Sequence, residues 1–125
     1  MSHVGKELRK NLRVRKKVES LLYQLKDSFV IVEGKHDVKA LEFFGITAYT
    51  FEKIMRTVKF HESKAILLMD NDRRGIEKME LLSNKLSSED VIIDNTTGRS
   101  LLKMLNAVHV EGIRAPIEQL FEIGK

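Results

Sequence analysis

Hydrophobic positions change period several times along the chain, and the changes divide it into elements. Over residues 5–25, Leu8, Leu12, Val14, Val18, Leu21, Leu22 and Leu25 recur mostly three and four positions apart, the spacing of one helix face. The stripe is denser in its second half. The part from about Val14 onward is therefore expected to pack on the body, and the first turns to be held loosely. After Asp27 and Ser28 the helical period is lost, and residues 29–32 form a continuous apolar run, as in a strand buried on both faces of a parallel sheet. Residues 36–44 return to a helical pattern, with Val38, Leu41 and Phe44 on one side. Gly45 is placed to end that helix in the left-handed conformation.

The same alternation continues. Residues 46–51 read as a second strand, less apolar than the first and so nearer an edge, and residues 52–60 as a short helix carrying Ile54, Met55 and Val58. Residues 65–69 are a third buried strand. Residues 75–86 form the clearest helix, with Ile76, Met79, Leu82 and Leu86 on its inner face. A fourth strand is expected at 91–93 and another helix at 101–108. Residues 108–113 admit a fifth strand, and Pro116, the only proline, precedes a terminal helix at 117–121. Strand and helix alternating in this way predict an α/β domain, a parallel sheet of about four strands flanked by helices, with right-handed crossovers. Residues 1–27 form an extra N-terminal helix packed on the domain of residues 28–125.

Composition narrows the class. The 125 residues suit one domain with one core, and no apolar stretch approaches the roughly 20 residues of a membrane helix. Basic residues interrupt the N-terminus, so no signal peptide is read there. The chain has no cysteine, so a metal would be held by oxygen or imidazole, and a cytoplasmic protein is expected. The net charge of +4 is unevenly placed. Residues 1–26 hold eight Lys or Arg (Lys6, Arg9, Lys10, Arg13, Arg15, Lys16, Lys17, Lys26) against Glu7 and Glu19, leaving −2 for the rest. Such a segment is either a solvated helix face or a patch for a polyanion such as nucleic acid.

Candidate chemistry lies where the first and third strands end. The first runs into Glu33-Gly34-Lys35-His36-Asp37, and the third into Asp70-Asn71-Asp72-Arg73-Arg74-Gly75. In a sheet of order 2-1-3-4 these strands are neighbours about 4.8 Å apart, and their connections leave in opposite directions, opening the crevice where such sheets bind ligands. Glu33, Asp70 and Asp72 would gather there and repel one another unless a cation neutralised them. Oxygen ligands select magnesium or manganese. Taken singly, each acid has a plainer reading, since an aspartate at a helix entry is a preferred N-cap. Lys35, Arg73 and Arg74 flank the acids and can hold phosphates. His36 adjoins the same edge. The loop from Asp94 to Ser100 either binds phosphate or caps the next helix. His3, His61 and His109 show no metal-ligand spacing. Tyr23, Phe29, Phe43, Phe44 and Phe60 fall at core-like positions, so no stacking platform for single strands is expected.

A strand ending in Glu-Gly-x-x-Asp, followed by one ending in Asp-x-Asp-x-x-Gly, resembles the Toprim domain of topoisomerases, bacterial-type primases, OLD-family nucleases and ribosomal RNA maturases. The resemblance runs from about Ser28 to Ala107, and with no further domain attached it is to the small stand-alone Toprim proteins known chiefly from archaea. It implies a Rossmann-like Toprim fold in which Asp70 and Asp72 bind magnesium. Glu33 would act as general acid or base, and also as a metal ligand, in phosphoryl transfer or phosphodiester hydrolysis on RNA or DNA. Lys35, Asp37, Arg73 and Arg74 would meet the substrate, the alternative for Asp37 being that it only caps the first helix. RNA-processing or DNA-repair proteins are the partners such a role implies. The alternative is a non-catalytic, metal-dependent nucleic-acid-binding or scaffold module of an RNA-processing or degradation complex. Haloacid-dehalogenase-type phosphatases and receiver domains fit less well. The former carry the Asp-x-Asp on the first strand, and the latter begin with paired acids where this chain has Glu33-Gly34.

Overall fold

The computed structural model describes residues 3–122, with side chains from residue 11 onward. A long helix α1 (His3–Lys26) precedes the alternating part, β1 (Val30–Val32), α2 (Lys35–Glu42), β2 (Ala48–Thr50), α3 (Phe51–Arg56), β3 (Lys64–Leu67), α4 (Arg73–Ser87), β4 (Ile92–Asp94) and α5 (Thr97–Met104). A 3₁₀ turn (Val110–Gly112) and α6 (Arg114–Glu122) close the chain. The strands form one parallel sheet in the order β2-β1-β3-β4, with Val30 opposite Ala48 on one side and Ile66 on the other. The expected α/β architecture is therefore present. No helix among the described residues is long and apolar enough to cross a membrane.

Both faces of the central strands are buried, as their unbroken apolar runs require. Val30, Val32, Ile66 and Leu68 point to one layer, filled by α1, α2, α5 and α6. Ile31, Ala65, Leu67 and Met69 point to the other, covered by α3 and α4. Helix α1 contributes Val18, Leu21, Leu22 and Leu25 to the first layer, each worth roughly 1.5–3 kcal/mol of apolar burial. That face ties the helix to the domain from Val14 onward. The expectation of loosely held first turns, with the side chains of Lys6, Leu8, Arg9 and Lys10, lies outside the described side chains.

Several local expectations are corrected. Helix α3 stops at Arg56, and Val58 lies fully in solvent at 96% exposure. Thr57 turns to extended backbone there, while the Phe60 N–H donates to Glu89 Oε1 at 2.9 Å and draws the chain off the helix axis. On α4 the inner face is Gly75, Met79, Leu82 and Leu86, and Ile76 is turned outward. Helix α5 begins four residues early, because the Asp94 carboxylate accepts the Thr96 and Thr97 N–H groups. Both Thr hydroxyls also donate to that carboxylate. The Asp94 side chain thus serves the start of α5, as the capping alternative has it.

Residues 108–113 form no fifth strand. The Val110 N–H donates to Asp70 Oδ1 and the Asn71 N–H to the Val108 carbonyl, so the polar groups a ladder would need serve the β3–α4 turn instead. The terminal helix starts at Arg114, three residues before the expected point. Pro116 fits inside its first turn, where an N–H has no helical partner to lose. Gly45 has φ 75°, as expected after α2, and the Ile46 N–H returns to the Leu41 carbonyl. Phe43 follows the last turn of α2, off the stripe defined by Val38 and Leu41, and is half exposed; Tyr23 is exposed as well.

Candidate metal centre at the switch point

Strand β1 leads through α2 to β2 on one side, and β3 leads through α4 to β4 on the other, so the chain reverses direction between the carboxyl ends of β1 and β3. A cleft of about 310 Å³ opens there. Its walls include Glu33, Gly34, Asp37, Asp70, Asp72 and His109.

Glu33 follows β1 directly, and its side chain is only 12% exposed. Its Oε2 accepts the Asp70 N–H at 2.9 Å, stitching the two strand ends together, and its Oε1 lies 3.4 Å from Lys78 Nζ. Burial raises its pKa, and the neighbouring Asp70 carboxylate raises it further; the Asp70 N–H and Lys78 act in the opposite direction. Gly34 has extended backbone, and a Cβ there would meet nothing within 4 Å. Neither conformation nor packing demands glycine, so its effect is to leave that wall of the cleft bare.

Asp70 is held by the C-terminal segment. Val110 donates its N–H to Oδ1 at 2.8 Å, and His109 Nδ1 lies 3.1 Å from Oδ2. Asp72 caps α4, its Oδ1 accepting the Gly75 N–H at 2.8 Å, while its Oδ2 faces His109 Nδ1 at 3.8 Å. One donor atom from each of Asp70, Asp72 and His109 falls within a group no more than 4.8 Å across. The hydrogen bond to Asp70, that residue's charge and the charge of Asp72 together raise the His109 pKa. An imidazole and two carboxylates gathered in this way can share a proton or hold a divalent cation.

Other residues singled out in the sequence fall in different places. Asp37 lines the cleft but is buried, and its Oδ2 accepts the N–H of Gly34 in its own turn. Burial raises its pKa, against the Gly34 hydrogen bond. Arg74 and His36 also line the cleft. Lys35 does not; it borders a separate groove between α2 and β2. Arg73 points into solvent, paired with Glu77 at 3.3 Å. Lys78 and Glu111 line the cleft without any sequence signal having singled them out, and His109, dismissed for want of metal-ligand spacing along the chain, is brought to Asp70 and Asp72 by the fold. Lys78 sits four residues after Arg74 on α4, one turn along the same face, so the helical period could have found it. Nothing local signals His109, 37 positions beyond Asp72 and on an irregular segment.

No protein-family model matches the chain, and no curated protein is similar to it. A solved structure of a protein from Aquifex aeolicus is similar, with 28% identity and a TM-score of 0.62. The similarity covers 74% of this chain and 94% of the Aquifex chain.

Proposed function

We propose that this protein performs divalent-metal-dependent phosphoryl transfer or phosphodiester hydrolysis on nucleic acid, the activity that its resemblance to Toprim domains implies. The observation that carries the reading is the convergence of Asp70, Asp72 and His109 within 4.8 Å, beside Glu33 at the switch point of the sheet. The donor set fits a divalent cation. Two carboxylates suit magnesium or manganese, and the imidazole tilts the preference toward manganese. Such an ion would supply charge stabilisation at phosphate oxygens. Glu33 is the proton-holding group, because its raised pKa lets it keep and exchange a proton at higher pH than an ordinary glutamate. Arg74 and Lys78 stand on the α4 wall to meet phosphate, and a guanidinium can make two hydrogen bonds to it.

One feature favours the second reading, a metal-dependent binding or scaffold module. Both Glu33 oxygens are already engaged, with the Asp70 N–H and with Lys78. Incubation with labelled RNA and DNA, with and without magnesium or manganese, separates the two readings: turnover supports the enzyme, and binding without turnover supports the module.

Two expected outcomes test the parts. Manganese well above its dissociation constant should raise Tm by linkage. The double substitution Asp70→Asn with Asp72→Asn should abolish the shift, and His109→Ala should reduce it. A shift that persists in the double variant rules out the site. For the basic helix, nucleic-acid affinity should fall steeply with salt, and neutralising Arg13, Lys16 and Lys17 should flatten the slope by about 0.9 per lost contact on duplex DNA. A slope unchanged by those substitutions makes α1 ordinary solvated surface.

A further inference from the structure

The acidic cleft does not end at His36 and Glu111. Those two residues also line a second groove, about 540 Å³ in volume, which runs between α2 and the segment joining the 3₁₀ turn to α6. At its far end Phe43 is 51% exposed, and the Arg114 guanidinium lies 3.6 Å from the centre of its ring. Arg114 Nε donates to Glu118 Oε1 at 2.9 Å, which fixes the guanidinium over the ring while 57% of the side chain remains exposed. Phe44 meets Phe43 edge-on at 5.1 Å and holds it from the core side. Lys39 stands on the α2 wall of the groove. A half-exposed ring, one face of it covered by the Arg114 guanidinium, therefore stands with Lys39 in a groove that joins the candidate metal centre through His36 and Glu111.

We infer that this groove is the track for a single-stranded segment of nucleic acid leaving the cleft, with one unpaired base stacked at Phe43 and Arg114 and with Lys39 against the backbone phosphates. The inference rests on the nucleic-acid reading above and adds the substrate class. Unpaired bases stack on aromatic rings and guanidinium planes, whereas in a duplex those faces are already covered by neighbouring bases. The positive groups complement phosphate, and continuity through His36 and Glu111 brings the same strand to the acids. An exposed phenylalanine in this setting replaces the expectation that the chain lacks a stacking platform.

The test is fluorescence anisotropy of a labelled single strand and of its duplex, with wild type, Phe43→Ala, Phe43→Tyr and Leu81→Ala. Leu81 is exposed on α4, across the sheet, and serves as the control. Wild type should prefer the single strand. Phe43→Ala should weaken that binding by about 5- to 150-fold, the loss of one stacked base; Phe43→Tyr, which keeps a ring, should recover most of that loss, and Leu81→Ala should bind as wild type does. Circular dichroism checks that each variant is folded. A folded Phe43→Ala that binds the single strand as wild type does, a preference for duplex, or no binding to either overturns the track. Manganese calorimetry on the same samples reads the Asp70–Asp72–His109 centre independently, so loss of the track and loss of the metal site give different results.

Discussion

Glu33→Gln is expected to slow metal-dependent phosphodiester cleavage by about 10²- to 10⁴-fold, the usual contribution of a positioned general acid or base. The amide has nearly the same shape, and its oxygen can still accept the Asp70 N–H, so the strand ends stay joined. What it loses is the proton. Because burial and Asp70 raise the Glu33 pKa, the folded protein holds that proton more tightly than the unfolded chain does. Ionisation of Glu33 therefore lowers stability as pH rises from the unfolded value near 4.3 through the raised folded value. At neutral pH the variant should accordingly be at least as stable as wild type, and Arg74 and the basic helix still offer contacts for nucleic acid. Single-turnover cleavage of labelled RNA and DNA, beside binding and thermal melts, checks all of this. If Glu33→Gln cleaves at the wild-type rate, or wild type turns over no nucleic acid, the protein is a binding module.

Gly75→Ala should be the most damaging small substitution near the site. A Cβ at this position would land on the Asp70 carbonyl oxygen and lie 2.9 Å from its carbon, and both atoms are backbone that cannot rotate away. The β3–α4 turn would have to open, displacing Asp70 and breaking the bond from the Gly75 N–H to Asp72. Overpacking of this kind costs about 1–3 kcal/mol. A clash with rigid backbone belongs at the upper end, which corresponds to a fall in Tm of roughly 10 °C for a domain of this size. Manganese binding should weaken with it. Gly34→Ala is the contrasting control, since a Cβ there meets nothing and Tm should hold. Equal Tm losses for the two variants would show that the glycine at the turn is not a steric requirement.

The contrast between these glycines shows where sequence reasoning has purchase. Glu33-Gly34 and Asp72-Arg73-Arg74-Gly75 are equally visible as motifs, yet only Gly75 is required by packing. Strand ends were legible because unbroken apolar runs such as Val30–Val32 can be buried on both faces only inside a parallel sheet. Element boundaries were less so. Helix α5 begins early because Asp94 caps it through a side chain, and α3 ends early because Phe60 is held by Glu89, 29 residues away. Ile76 misled because an apolar residue at a helical period can lie one step off the buried stripe when a glycine occupies the tightest contact.

The sequence by itself determined the α/β alternation and the gathering of Glu33, Asp70 and Asp72 at one edge. Each follows from period, chain direction and the rule that neighbouring parallel strands point the same way. Only the tertiary structure decided which partners complete that edge. His109 and the Val110 N–H reach Asp70 across about 40 residues of chain. Phe43 meets Arg114 across the join of α2 and α6. Contacts of that kind leave no local period or spacing, because they depend on how irregular segments satisfy their backbone polar groups once the core has closed.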